Sequence, residues 1–282
     1  MGPFPLFRGG GRGRARPPAR AAAARGAELV LTDIDAAGLA ATVADIQRDG
    51  GKVLVATPLD ITDHEAVAAF GADVHSRFGS VDVVMNVAGT SVWGTVDTLE
   101  HRHWQRMVDV NLMGPIHVIE TFVPEMVRAG RGGALVNVSS AAGLLALPWH
   151  AAYSASKYGL RGLSEVLRFE LAQHGISVHL VAPGAVNTPL VQSFELVGVD
   201  KEDPRVGKLV TRFTRHAVAP EKVAAAILRG IERNRFIVYT SFDIRFGYWW
   251  KRKFAFPYEL LMRVANVQFS RLRSSLRTSD SR

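Results

Sequence analysis

The chain has 282 residues and a formal net charge of +8 at pH 7, with 48% hydrophobic and 21% charged residues. That length can bury the core of one α/β domain with extensions, and the absence of cysteine excludes disulfides and thiolate metal sites. Because no run of about 18 apolar residues occurs and the N-terminus has no apolar signal region, we expect a cytoplasmic protein without a membrane-spanning helix.

The positive charge is concentrated at the two ends of the chain. Residues 1–27 contain six arginines and no acidic residue, and residues 245–282 contain nine lysines and arginines against Glu259 and Asp280. Residues 28–244 therefore carry a small net negative charge. A basic protein often binds nucleic acid through a charged surface, but this distribution argues against a nucleic-acid-binding domain.

Apolar runs typical of strands alternate with helix-like segments from residue 28 to residue 239. This alternation predicts an α/β fold with a parallel sheet. The predicted strands are 28–33, 52–57, 81–85, 134–138, 176–182 and 236–239, and the predicted helices are 36–48, 63–78, 100–129, 151–174 and 220–233.

A tyrosine and a lysine stand four residues apart in one predicted helix, so both side chains lie on one helical face. The Lys157 ammonium favours the phenolate, and we expect it to lower the pKa of Tyr153 below its usual value of about 10. Such a tyrosine exchanges a proton with an alcohol or a carbonyl. By itself the pair also fits an ordinary exposed helix. Ser140, thirteen residues before Tyr153, follows a predicted strand and adds a hydroxyl to the candidate site.

These residues belong to an ordered set of motifs along the chain. The set resembles the short-chain dehydrogenase/reductase (SDR) family over about residues 26 to 240, and its members are Asn86-Val-Ala-Gly89, Asn111, Ser140, Tyr153, Lys157 and Pro183-Gly184. The resemblance implies a Rossmann-like, doubly wound parallel sheet and an NAD(P)-dependent oxidoreductase that interconverts an alcohol and a ketone or aldehyde. In such an enzyme Tyr153 exchanges the proton and Lys157 also holds the nicotinamide ribose. Ser140 hydrogen-bonds the substrate oxygen, and Asn111 supports a water relay.

Cofactor contacts are expected at residues that follow the strands. Asp33 ends the first predicted strand, where an acid in a dinucleotide fold binds the adenosine ribose hydroxyls and repels a 2′-phosphate, so NAD is favoured over NADP. Asp33 also fits a solvated loop acid. The resemblance implies that Asp60 holds the adenine, although a residue near a helix N-terminus is an alternative. The other cofactor-binding residues that it implies are Asn86, Ala88, Gly89, Tyr153, Lys157, Pro183, Gly184, Val186 and Thr188. We expect no metal site, because no cysteine is present and His101-Arg-His103 lacks a helical ligand spacing.

The N-terminal segment departs from the family pattern. The family has a first strand, then Thr-Gly-x-x-x-Gly-x-Gly and a helix whose N-terminus carries the pyrophosphate. Counting back puts that loop near residues 9–15, where two glycines match but the threonine and the third glycine are absent. Residues 1–8 make a poor strand, and Pro17-Pro18 would break the helix. We therefore interpret the first strand and the glycine loop as missing or mistranslated, which predicts weak NAD binding and poor stability.

Two other interpretations apply to residues 1–25. An Arg/Gly-rich arm could bind nucleic acid, and an arginine-rich, acid-free segment also fits a targeting peptide. The predicted organisation is an Arg/Gly/Pro-rich N-terminus at 1–25, a Rossmann-like SDR domain at 26–240 and a basic, aromatic, helical extension at 241–282. If the cofactor loop is missing, the alternative function is a non-catalytic SDR-like scaffold or a membrane-associated interaction protein.

Apolar residues flank the expected substrate site and indicate a bulky lipophilic alcohol or ketone as the substrate. They are Val92, Trp93, Leu144, Leu145, Leu147, Pro148, Trp149, Leu190, Val191, Phe194, Leu196 and Val197. Residues 245–273 mix aromatic with basic side chains, which is typical of peripheral membrane contact; an arm packed on the same or a partner subunit fits equally. The resemblance implies a homodimer or homotetramer.

Overall fold

A computed structural model describes residues 5–8, 16–187, 195–198, 207 and 217–277 of the chain. Within these residues the strands are β1 (Pro5–Arg8), β2 (Glu28–Asp33), β3 (Lys52–Pro58), β4 (Val83–Asn86), β5 (Val92–Trp93), β6 (Gly133–Val138), β7 (Ile176–Ala182), β8 (Glu195–Leu196) and β9 (Ile237–Tyr239). Seven of them form a parallel sheet in the order β3-β2-β1-β4-β6-β7-β9, and β5 pairs separately with β8. The chain winds outward from β1 in both directions, which confirms the predicted Rossmann-like, doubly wound fold.

Helices cover both faces of this sheet. They are α1 (Arg16–Ala23), α2 (Ala36–Arg48), α3 (His64–Phe78), α4 (His101–Val108), α5 (Gly114–Ala129), α6 (Ala151–Glu170), α7 (Pro220–Glu232), α8 (Phe242–Lys253) and α9 (Ala255–Arg277), with a π-helical turn at Asp109–Met113 and short 3-10 turns at Ala141–Gly143 and Ala172–His174. The elements predicted between residues 28 and 239 all occur, with boundaries that agree within a few residues.

Two apolar clusters fill the space between the sheet and its helices. In the first cluster, Leu29 and Leu31 of β2 pack against side chains of α1, α2 and α7. In the second cluster, Val30 of β2 packs against side chains of α3 and α5. Successive residues of a strand point to opposite faces, and both faces of this sheet are covered. The sheet strands therefore have near-continuous apolar sequences.

The first strand is present, and the prediction that it is missing was wrong. β1 is an interior strand, the third of seven in the sheet, and its Leu6 is aligned with Val30 of β2 and with Val84 of β4. Backbone hydrogen bonds to a strand on each side do not require β-branched side chains, so this tertiary pairing overrides the low strand propensity of the segment. Pro5 is the first residue of the strand, a position at which proline is tolerated.

Residues 16–25 also belong to the sheet domain, so the boundary predicted at residue 26 was wrong. Pro17 and Pro18 lie in the first turn of α1, where a backbone N–H has no helical acceptor and proline is accommodated. Ala19 and Ala22 are buried in the apolar cluster under α7. The arginines of this segment pair with acids of the domain, namely Arg16 with Asp45, Arg20 with Asp49 and Arg25 with Glu232. The predicted glycine loop, at residues 9–15, lies outside the described residues.

The C-terminal extension forms the two helices α8 and α9. Ile244 and Tyr248 of α8 are buried in an apolar cluster with Leu144 and Ala182. The start of α9 is held by a hydrogen bond from the backbone N–H of Ala146 to the Tyr258 hydroxyl, at 2.7 Å. None of the helices among the described residues is long and apolar enough to cross a membrane.

Candidate active site

A cavity of about 410 Å³ opens at the carboxyl ends of the sheet strands. The loops that follow β4, β6 and β7 meet here because parallel strands end at the same edge, and crevices at this edge are the usual ligand sites of open α/β sheets. Ser140, Tyr153 and Lys157 all line the cavity. The tertiary structure therefore brings together the three residues that the sequence singled out for proton transfer.

Ser140 is held in a tight turn that packs directly on α6. Its Oγ accepts a hydrogen bond from the backbone N–H of Ala142, at 3.1 Å. The neighbouring Ser139 hydroxyl donates to the backbone carbonyl of Lys157, at 3.1 Å. Gly143 permits this close approach, since a Cβ there would lie 2.3 Å from Ser139 Oγ and 2.9 Å from the Lys157 carbonyl oxygen.

Tyr153 and Lys157 lie one turn apart on α6 and face the same cavity. Lys157 is only 3% exposed, and its Nζ donates to the Val138 carbonyl at the end of β6, at 3.0 Å. The ammonium nitrogen lies 5.9 Å from the centroid of the Tyr153 ring. The buried cation therefore lies beside the half-buried phenol, as the helical spacing predicts.

Asn111 is fully buried in the π-helical turn between α4 and α5, and it does not line the cavity. Its Oδ1 accepts from the backbone N–H of Thr90 at 2.8 Å, and its Nδ2 donates to the Thr90 carbonyl at 3.0 Å and to Ser156 Oγ at 3.1 Å. The side-chain amide therefore clamps the loop after β4 to α6. π-helical turns often mark functional sites; the part of Asn111 in a proton relay stays a prediction.

The predicted cofactor-binding residues fall in three regions. Asp33 is 5% exposed at the end of β2, and its Oδ1 accepts from the backbone N–H of Asp35 at 3.0 Å. Asp60 is exposed and accepts from Thr62 in a local turn, while the helix cap of α3 is Asp63. Pro183, Gly184 and Val186 line the cavity, Asn86 and Ala88 are buried near it, Gly89 is half-buried, and Thr188 lies outside the described residues.

The substrate end of the cavity is mostly apolar. Of the residues predicted to flank it, Trp93, Leu145 and Leu147 line the cavity. Val92 and Leu144 are instead fully buried in the core. Leu190, Val191 and Phe194, which were also predicted to flank the site, lie outside the described residues. Among the described side chains, no group of three His, Asp or Glu could hold a metal ion.

His150 and the N-terminal turn of α8 are lining residues that sequence reasoning missed. His150 is 5% exposed and lines the cavity, and its ring centroid lies 6.1 Å from that of Tyr153. His150 immediately precedes α6, so its closeness to Tyr153 in the sequence was an available signal. Ser241, Asp243 and Ile244 reach the cavity from a segment with no sequence signal of its own.

The comparisons with known proteins give the family of the chain. The doubly wound parallel sheet with a cavity at its carboxyl edge is typical of dinucleotide-binding α/β proteins. A family model described as short chain dehydrogenase matches residues 6–196. The chain belongs to the short-chain dehydrogenase/reductase family.

Individual relatives extend the comparison. The chain is 33% identical over 236 residues to the putative oxidoreductase SadH of Mycobacterium tuberculosis, which covers 83% of this chain and 84% of that protein. Among solved structures, it is similar to an SDR from Burkholderia phymatum in complex with NAD, with a TM-score of 0.78, 26% identity, and coverage of 90% of this chain and 95% of the other. The chain is also similar to a metagenomic SDR in complex with NADP, with a TM-score of 0.67 and 30% identity. The match covers 84% of this chain and 95% of the other.

Proposed function

We propose that this SDR oxidoreductase interconverts an alcohol and a ketone or aldehyde, that it uses NAD, and that its substrate is lipophilic. The observation that carries the proposal is that the hydroxyl of Ser140, the phenol of Tyr153 and the ammonium of Lys157 line one cavity at the carboxyl edge of the sheet. Such a reaction requires a group that binds the substrate oxygen, a proton donor and a cation, and Ser140, Tyr153 and Lys157 supply them in that order.

Each of the three residues has a distinct role in the proposed reaction. In the oxidation direction the Tyr153 oxygen takes the proton of the substrate hydroxyl, and in reduction it returns that proton. The ammonium of Lys157 favours the phenolate form of Tyr153. The Ser140 hydroxyl donates to the substrate oxygen, where negative charge develops. Asn111 keeps the loop at Thr90 against α6 and thereby maintains the shape of this edge of the site.

The residues at the end of β2 fit NAD better than NADP. Asp33 is buried there with a carboxylate that suits the two hydroxyls of an adenosine ribose and repels a 2′-phosphate. Its neighbours Thr32 and Ile34 offer no cation to such a phosphate. When bound, the nicotinamide would accept or supply the hydride that the substrate exchanges. We propose Pro183, Gly184 and Val186 as its contacts in the cavity.

Replacing Tyr153 with phenylalanine tests the assignment. General acid–base catalysis contributes about a hundredfold or more, so Tyr153→Phe should lower turnover at least that much while thermal stability and NAD binding remain. Tyr158→Phe is the matched control, because Tyr158 lies on the same helix but bonds Lys251 instead of lining the cavity. The assay follows NADH absorbance with a panel of lipophilic and small polar alcohols and ketones. An active Tyr153→Phe enzyme would rule out the proposed role, and a preference for the small polar probes would rule out the substrate class.

The alternative of a non-catalytic scaffold depends on a missing cofactor loop. β1 is present in the sheet, but residues 9–15, where that loop is expected, lie outside the described residues, so we keep this alternative as the one to test. Calorimetric titration of the full chain with NAD tests the choice directly. Saturable binding supports the enzyme, and a lack of binding together with a lack of turnover supports the scaffold.

We also propose that an aromatic strip on α8 contacts an anionic membrane surface. The strip consists of Phe242, Phe246, Trp249 and Trp250 of α8 together with Phe254, which caps its C-terminus. These residues are 37% to 77% exposed, and their rings contact one another at centroid distances of 5.5 to 6.0 Å. Cationic residues accompany it, since residues 242–277 contain eight lysines and arginines against two acids. Exposed aromatic rings beside cations suit the interface of a membrane with anionic lipids.

Vesicle co-sedimentation tests the membrane proposal. We expect the full chain to bind vesicles that contain phosphatidylglycerol more strongly than vesicles of phosphatidylcholine alone, and to lose binding at high salt. The double variant Phe246→Ser with Trp249→Ser should bind at least tenfold more weakly. Phe169→Ser is the control, because Phe169 is a comparably exposed ring on α6 outside the strip. If the double variant changes the oligomeric state but not vesicle binding, the strip is a subunit contact instead.

We further propose, from the family resemblance, that the protein is a homodimer or a homotetramer. Sedimentation velocity of the full chain tests this oligomeric state. A monomer at micromolar concentration would refute this proposal.

A further inference from the structure

His150 is a buried polar residue of the cavity to which the proposed proton relay assigns no role. It immediately precedes α6, lines the cavity together with Tyr153 and Ser140, and is 5% exposed. A polar group that is almost fully buried beside a reaction site needs a hydrogen-bond partner or a ligand. The contacts of its two ring nitrogens indicate which of these applies.

The first ring nitrogen is committed to the protein. Nδ1 lies 2.6 Å from the Pro148 carbonyl oxygen, and because a carbonyl only accepts, Nδ1 carries the proton and donates it. The neutral ring then has a lone pair at Nε2. Burial lowers the pKa of His150 to about 4, which keeps the ring in this neutral form at neutral pH.

The orientation of the ring is fixed by the backbone around it. Trp149 has a φ of 64°, in the left-handed region that bulky residues rarely adopt, and its carbonyl accepts from the backbone N–H of Gly94 at 2.9 Å. The His150 ring lies 4.3 Å from the Trp93 ring, centroid to centroid. A strained turn next to a site is tolerated only where the surroundings enforce it, and here it aims a histidine at the cavity.

The second ring nitrogen is open to the cavity. Nε2 of His150 has no hydrogen-bond partner among the described residues. The atom keeps some accessible surface, unlike the unpaired polar atoms that are fully buried. A neighbouring polar group is already engaged, since Trp93 Nε1 donates to Ser91 Oγ at 3.0 Å. Leu145 and Leu147 also line the cavity, beside the polar groups of the proposed proton relay. The cavity therefore presents, at Nε2 of His150, an acceptor that neither the described residues nor that relay uses.

We propose that Nε2 of His150 accepts a hydrogen bond from a second donor group of the substrate, a hydroxyl or an amide N–H a few bonds from the reacting carbon. The 6.1 Å between the His150 and Tyr153 ring centroids sets that short separation. A substrate without the donor leaves the acceptor unpaired when it displaces water, and enzymes discriminate against such substrates. His150 is thus a specificity-determining residue, and this role rests on the proposed function of the same cavity.

Competing probes measure this preference in the full chain with NAD. The probes are cyclohexanol and the three positional isomers of cyclohexanediol, and the readout is the ratio of kcat/KM for the best diol to that for cyclohexanol, per hydroxyl. For the parent we expect this ratio to be about ten, since one hydrogen bond contributes about that factor. For His150→Phe, which keeps a ring but removes the acceptor, the ratio should lie within about twofold of one. The ratio cancels any general loss of folded enzyme. His179→Gln is the control, because His179 is a buried histidine with both ring nitrogens bonded within the protein.

A nitrogen NMR titration decides the proposal without turnover. In histidine-labelled protein with NAD, the Nε2 resonance of His150, assigned by its loss in His150→Phe, should move when a diol is added and should not move with cyclohexanol. Equal responses to both probes, or equal kcat/KM ratios in the parent and His150→Phe, would overturn the proposal. If neither probe is oxidised but the diol moves the resonance, the assignment of His150 stands and the proposed oxidation of such alcohols fails.

Discussion

Replacing His150 with phenylalanine should change how the stability of this protein depends on pH. Burial lowers the pKa of His150 from its ordinary 6.5 to about 4 in the folded chain, against a smaller opposite effect of the hydrogen bond to Pro148. Between these two values the unfolded chain binds a proton on this side chain and the folded chain does not. Above pH 6.5 the side chain of His150 is neutral in both states and costs no stability. As the pH falls from 6.5 toward 4, proton binding to the unfolded chain progressively lowers the free energy of unfolding.

The size of this effect follows from the pKa difference. At about 1.4 kcal/mol per pKa unit, a change from 6.5 to about 4 is equivalent to about 3 kcal/mol of unfolding free energy. That loss is a large fraction of the usual net stability of about 5 to 15 kcal/mol. His179, whose pKa burial also lowers, contributes with the same sign, so the parent should lose more stability than His150 alone accounts for.

Urea unfolding of the parent and of His150→Phe, at several pH values from about 7 to about 4 and at equal protomer concentration, measures the effect. Carboxylates titrate alike in both proteins, so the difference between the two curves isolates His150. As the pH falls from about 7 to about 4, the unfolding free energy of the parent should decrease by about 3 kcal/mol more than that of His150→Phe. Parallel curves, or an NMR titration of His150 with a pKa near 6.5, would refute the reasoning.

Three further predictions concern the geometry of the site. Gly143→Ala should destabilise the protein by about 1 to 3 kcal/mol and lower kcat, because the added Cβ would lie 2.3 Å from Ser139 Oγ; unchanged unfolding and activity would contradict the packing of this turn on α6. Asn111→Leu should cost about 1 to 3 kcal/mol in urea unfolding, since the backbone N–H and C=O of Thr90 lose their buried partner, and a parent-like unfolding curve would disprove the clamp. Asp33→Ala should raise the ratio of kcat/KM with NADP to that with NAD by at least about tenfold, and a constant ratio would remove Asp33 from cofactor selection.

The elements between residues 28 and 239 could be predicted from the sequence because their signals are local. The strand at 28–33 and the helix at 63–78 follow from the period of their apolar side chains. In the structure Asp63 caps that helix, since its side chain accepts a hydrogen bond from the backbone N–H of Ala66. The Tyr153 and Lys157 pair follows from helical spacing in the same way. Such signals need no knowledge of the rest of the chain.

The N-terminal elements were misjudged because their stability is not local. Residues 5–8 have a poor strand sequence, yet they pair on both sides with strands that begin at residues 28 and 83. Pro17 and Pro18 were interpreted as helix breakers, although their place in the first turn makes them harmless. The family match that begins at residue 6 agrees with this corrected start of the domain.

The sequence by itself determined the α/β class, the order of most elements and the candidate residues for proton transfer, since each depends on periodicity or spacing within one segment. Only the tertiary structure decided that β1 pairs inside the sheet with β2 and β4, that Asn111 holds Thr90, and that His150 lines the cavity. The physical reason is that strand pairing, burial and cavity lining arise between segments far apart in the chain. A hydrogen bond between such segments leaves no periodic trace in the sequence of either one.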